Sequence, residues 1–168
     1  MGSRGNPLSF VDPGGLAACL VIFPDMPIDT GLGFTSIRLG GHGGVITYDN
    51  NGVTQYHEYG RYPTSLATGV GLPSDEGNIR RVSVPNLKIG NDGQPAPESL
   101  DALRKFLEKK AGKGTNANLS CDANAGEKTI RDYIKKLAED ANRPKYSWRP
   151  WNSNHCPDFA NRAFNTGR

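Results

Sequence analysis

The 168-residue sequence contains only three cysteines, Cys19, Cys121 and Cys156, too few and too scattered for a disulfide framework. Cys19 lies in an apolar run and reads as core. Cys121 follows Asn118-Leu119-Ser120 in what reads as a polar loop, and the two are not expected to pair. There is no Cys-x-x-Cys and no His-x-x-x-His, which argues against a zinc centre, and no metal or cofactor is expected. Gly40-Gly41-His42-Gly43-Gly44 is rich in glycine but lacks the lysine of a phosphate-binding loop. No apolar stretch approaches the ~20 residues needed to span a bilayer, and the start lacks the basic, apolar and small-residue order of a secretory signal. A soluble protein without a membrane span is expected. The basic residues form no stripe interleaved with aromatics, so a nucleic-acid partner is not indicated.

What is present is loop-forming chemistry: 21 glycines and 12 prolines. A net charge of +3 suits an anionic partner such as a cell-wall polymer without requiring one. The length suits one domain, able to bury roughly 70% of its unfolded surface without staples.

The first half reads as strands. Ala17 to Phe23 is apolar and short. Gly41 to Tyr48 and Val53 to Tyr59 flank Asp49-Asn50-Asn51-Gly52, a hairpin signal. A further strand spans Ile79 to Val84 and stops at Pro85. The second half reads as helices. Pro97 opens one with Leu100, Leu103, Phe106 and Leu107 on one face, ending near Gly112. Ala125 to Asn142 forms another through Ile130, Tyr133, Ile134 and Leu137. A last one starts at Cys156 or Pro157, with Phe159, Ala160, Ala163 and Phe164 along its apolar face. Tyr146-Ser147-Trp148-Arg149-Pro150-Trp151 reads as a semi-rigid loop, either packed on the core or walling a cleft.

Asn152-Ser153-Asn154-His155-Cys156-Pro157-Asp158 carries the chemistry. Ser153 and Asn154 are good N-cap residues and Pro157 suits a first turn, so Cys156 sits at a helix N-terminus. There the free N–H groups and the positive end of the dipole favour a thiolate and can receive an oxyanion. A thiolate nucleophile needs an imidazole. His155 is adjacent in sequence and leaves the backbone in another direction. His42, flanked by glycines at the start of a strand, is the preferred base. A third group comes from the returning strand: an odd loop puts Glu58 on the face of His42, an even one His57. Glu58 is preferred.

Two resemblances follow. Asn6-Pro7 with Asp12-Pro13-Gly14-Gly15-Leu16 resembles the end of the Rhs repeat-associated core. This implies a leader over residues 1–16 and a C-terminal toxin domain over 17–168, with the Rhs shell and a cognate immunity protein as partners and type VI secretion as the route. Gly-His-Gly-Gly-Val in an early strand, an acidic residue on the next, and a late Asn-x-Cys-x-x-Phe-Ala resemble the permuted branch of NlpC-type papain-like enzymes. Glu58-Tyr59-Gly60-Arg61-Tyr62 is similar to cell-wall amidase effectors of this type. One departure is His155, where that family often has asparagine. The resemblance implies an α+β, permuted papain-like fold, an antiparallel sheet packed against helices. It also implies a cysteine amidase or peptidase using Cys156, His42 and Glu58 on peptidoglycan stem peptides in the periplasm of a rival cell. The alternatives are a protease, deamidase or acyltransferase acting on a cytosolic protein, or a non-catalytic binding module.

Overall fold

Alternating segments fill the first half of the chain and helical stripes the second. The computed structural model describes residues 17–26, 41–60, 74–75, 77–147 and 155–168. In chain order these form β1 (Ala17–Phe23), β2 (His42–Tyr48), β3 (Thr54–Gly60), β4 (Ser74–Asp75), β5 (Asn78–Val82), α1 (Pro97–Lys110), β6 (Asn118–Asp122), α2 (Glu127–Glu139), β7 (Tyr146–Ser147) and α3 (Cys156–Thr166). Five strands make an antiparallel sheet in the order β5-β3-β2-β1-β6, and β4 pairs with β7. The architecture is α+β, with helices packed against an antiparallel sheet, as the sequence indicates.

The hairpin turn sets the register. The Asp49 carboxylate accepts the backbone N–H groups of Asn51 and Val53, both at 2.9 Å. Gly52 turns the chain at φ +78°, which costs a glycine no Cβ clash. The five residues 49–53 separate the two strands, an odd number, so Gly44 faces Glu58 and Val45 faces His57 across the ladder. On the far side of β2, Phe23 pairs with His42.

The sheet is covered on both faces. On one, Ala17, Cys19, Val21, Phe23, Ile46, Tyr48 and Tyr56 pack with Leu103 and Leu107 of α1. On the other, Ala18, Val45 and Tyr59 meet Ile130 and Ile134 of α2 and Phe159, Ala163 and Phe164 of α3. Each fully buried Leu, Ile or Phe in these layers contributes about 1.5–3 kcal/mol. The α2 helix is shorter than its apolar stripe suggests. Gly126 caps it in extended geometry and Asp140 leaves the helical region at ψ 112°, so it ends before Pro144 is reached.

The expectation that Cys19 and Cys121 stay apart is overturned. Cys19 and Cys121 form a disulfide. Asn118–Asp122 is strand β6, not a loop, and its register on β1 puts Cys121 directly opposite Cys19. As an outer strand with mostly exposed side chains it shows no apolar alternation, and so it reads locally as a loop. The bridge closes a sequence separation of 102 residues, a length at which loop-closure entropy alone is worth about 4–5 kcal/mol.

Candidate active site

His42 is held where β2 begins by what its neighbours lack. Gly41 has φ +70°, and a Cβ there would stand 2.1 Å from the Phe23 carbonyl oxygen. Only glycine fits. A Cβ on Gly43 would stand 3.2 Å from Cα of Pro157, so the bare backbone lets the first turn of α3 settle on β2 next to His42. The Phe23 ring stacks against the imidazole with centroids 5.7 Å apart.

Cys156 is the first residue of α3 and the free thiol among the described cysteines; it is buried, at 6% exposure. The cap differs from the expected Ser153 or Asn154. The helix begins at Cys156 itself, so the residue before it, His155, takes the N-cap position in extended geometry. Its backbone N–H donates to Asp158 Oδ2 at 3.2 Å. The same carboxylate oxygen lies 3.2 Å from His155 Nδ1, without the geometry of a hydrogen bond.

His42 connects the helix to the sheet. Its Nε2–H donates to Glu58 Oε2 at 2.6 Å, and Cys156 stands close enough to the ring to raise its pKa. Glu58 is 1% exposed, and a buried carboxylate is tolerated only when its oxygens are satisfied. Oε2 has His42. Oε1 has Arg80, whose Nε donates at 2.8 Å and whose terminal guanidinium nitrogen lies at 2.5 Å. Arg80 is the residue that sequence reasoning missed. It stands opposite Glu58 on β5, a pairing that depends on strand order and not on any local motif.

Charge follows from this geometry. Burial alone would lower the pKa of His42. Hydrogen bonds to Cys156 and Glu58, and the negative charges of both, outweigh burial and raise it from 6.5 to about 10. The imidazole is therefore protonated at neutral pH, between a sulfur and a carboxylate. Such an arrangement can hold a proton for delivery to a leaving group.

The structure thus brings Cys156, His42 and Glu58 together and leaves His57 elsewhere, on the opposite face of β3. Trp148, Trp151, Ser153, Asn154, Arg61, Tyr62 and the leader over 1–16 lie outside the described residues. Among the described residues no group of three or more His, Cys, Asp or Glu could hold a metal ion, and no helix is long and apolar enough to cross a membrane.

Residues 19–167 match the family model described as type VI secretion system effector TseH-like. The chain belongs to this family of type VI secretion effectors. Its fold is similar to the crystal structure of the type VI secretion system effector TseH, with a TM-score of 0.66 and 23% sequence identity over 92% of this chain and 78% of that one. At that identity the likeness is one of fold. Comparison with curated proteins finds no match.

Proposed function

We propose that this effector is an antibacterial cysteine amidase or peptidase with a permuted papain-like fold, acting on the stem peptides of peptidoglycan. The observation that carries the reading is the line Cys156–His42–Glu58, in which the imidazole stands between a sulfur at a helix N-terminus and a buried carboxylate. The proton of the Cys156 thiol resides on His42 as the imidazolium, and the thiolate sulfur attacks an amide carbonyl carbon. The oxyanion is received by the N–H groups of the first turn of α3. His42 then protonates the leaving amine as the C–N bond breaks, giving a thioester. Water, deprotonated by His42, attacks the thioester carbonyl and releases the acid and the thiolate. Glu58 holds the imidazole in orientation and supports its charge throughout.

The Cys19–Cys121 disulfide favours the periplasm over the cytosol of the target cell, because such bonds persist in oxidising compartments. A toxin domain over 17–168 behind an Rhs-like leader, with an Rhs shell and an immunity protein as partners, is part of the proposal on the strength of the sequence resemblance of Asn6-Pro7 and Asp12-Pro13-Gly14-Gly15-Leu16.

The test is digestion of purified peptidoglycan by wild type and Cys156→Ala, read by mass spectrometry of the released muropeptides. Wild type should cut a stem or cross-link amide and the variant should not. Equal cutting by both removes the proposed nucleophile, and cutting by neither removes the proposed substrate. Expression directed to the periplasm should harm the host cell and cytosolic expression should not.

A further inference from the structure

A second polar feature lies on the other face of β3, apart from His42 and Glu58. A groove of about 470 Å³ runs between α2 and the neighbouring strands β3 and β5, with Gln55 and His57 from β3, Ile79 and Arg81 from β5, and Arg131, Asp132 and Lys135 among the residues of α2 that line it. Its charges do not balance. Three cations face a single carboxylate, Asp132, which Lys128 already engages at 2.9 Å. Arg131 also reaches back to Glu127 on its own helix. Arg81 has no such carboxylate beside it among the described residues.

His57 forms the buried side of the groove. It is 8% exposed, and its Nδ1 has no hydrogen-bond partner. A buried imidazole nitrogen left unpaired is unfavourable, and such an orphan calls for an explanation. Burial and the charges of Arg81 and Arg131 lower the pKa of His57 to about 4. The ring is therefore neutral at physiological pH, and both guanidiniums are close enough to act on it.

We propose that this groove is a binding site for a carboxylate side chain of an acidic peptide. Arg81 and Arg131 reach it from two different elements and would share the anion, charge-assisted bonds being the strong ones. Gln55 supplies an amide, and the aliphatic surfaces of Ile79, Ile134 and Ala138 suit the methylene stem of a glutamate better than a bare inorganic anion. The bound carboxylate answers the excess of positive charge beside the His57 ring. The site does not depend on the chemistry at Cys156, so it is tested in a background that cannot cleave.

The experiment is an NMR titration of oxidised Cys156→Ala protein at low salt with the capped tripeptide Ala-Glu-Ala, with Ala-Gln-Ala, and with inorganic phosphate, following the His57 ring and the Arg81 guanidinium. The glutamate peptide should shift both sets of signals saturably, and the glutamine peptide should bind at least ~10-fold more weakly, since the charge supplies most of the attraction. Arg81→Met, at an exposed position on an outer strand, should weaken glutamate binding about 10-fold, and Lys135→Met about 3-fold, as expected for a flexible exposed charge. Lys135→Met keeps the proposal testable if Arg81→Met does not fold. Equal binding of the two peptides, no shift at His57, or saturable binding of phosphate but not of the glutamate peptide would each overturn the proposal.

Discussion

His42 and His57 are buried to the same extent, each 8% exposed, yet they hold opposite charge states. His42 is pushed up to about 10 and His57 down to about 4. Burial disfavours the imidazolium in both. The difference lies in what else faces the ring: a sulfur and a carboxylate at His42, two guanidiniums at His57. Two strands of one hairpin, differing by a single step of register, thus separate a proton holder from a neutral ring. Neighbouring charge, not depth, decides the state.

The comparison breaks most readily at Glu58. Glu58→Gln removes the carboxylate charge while keeping the shape, so the pKa of His42 should fall by more than about one unit and amide cleavage by about 10²-fold or more. NMR titration of the ring alongside kcat/KM checks both; an unmoved pKa would mean that the carboxylate does not set the charge of His42. Arg80→Met should have a smaller effect, about 10-fold in kcat/KM, because Glu58 keeps its bond to His42 but loses its anchor at Oε1. Arg80→Lys should recover much of the loss by restoring the charge. No recovery by lysine, together with an unchanged pH profile for Arg80→Met, would reduce Arg80 to a packing role.

The smallest effect is on stability, and the two histidines should act on opposite limbs of the pH curve. The folded pKa of His42 lies above its ordinary 6.5, so its contribution is complete below pH 6.5 and is lost as pH rises toward 10. The folded pKa of His57 lies below 6.5. Its unfolded form takes up the proton first, so stability is lost as pH falls from 6.5 toward 4. His42→Gln should flatten the alkaline limb of Tm against pH, and His57→Gln the acid limb, by roughly 1–3 kcal/mol each. Parallel curves for wild type and both variants would contradict the assigned charge states.

How much of this could be read in advance varies by element. The hairpin was legible because Asp49-Asn50-Asn51-Gly52 is a local signal, and the choice between Glu58 and His57 reduced to whether its loop was odd or even. The three helices were legible from apolar spacing, and the start of α3 from Pro157. Strand β6 was not, because an outer strand with solvated side chains has no alternation to detect, and the partner of Cys19 was hidden with it. Arg80 escaped for a related reason. Its contact with Glu58 needs β5 to lie beside β3, and nothing within either strand fixes that order.

Among the described residues the sheet has two outer strands, β6 and β5, and they differ in what they offer an incoming chain. A free strand edge is a template on which another chain can pair. At one edge β6 is bonded covalently to β1 through Cys19 and Cys121. At the other, β5 presents Arg80 and Arg81 side by side, directed to opposite faces and both exposed. An incoming strand would have to accommodate two fixed positive charges at adjacent positions. Strand addition at the β5 edge is thereby discouraged without a dedicated guard residue, since Arg80 already anchors Glu58 and Arg81 already lines the groove.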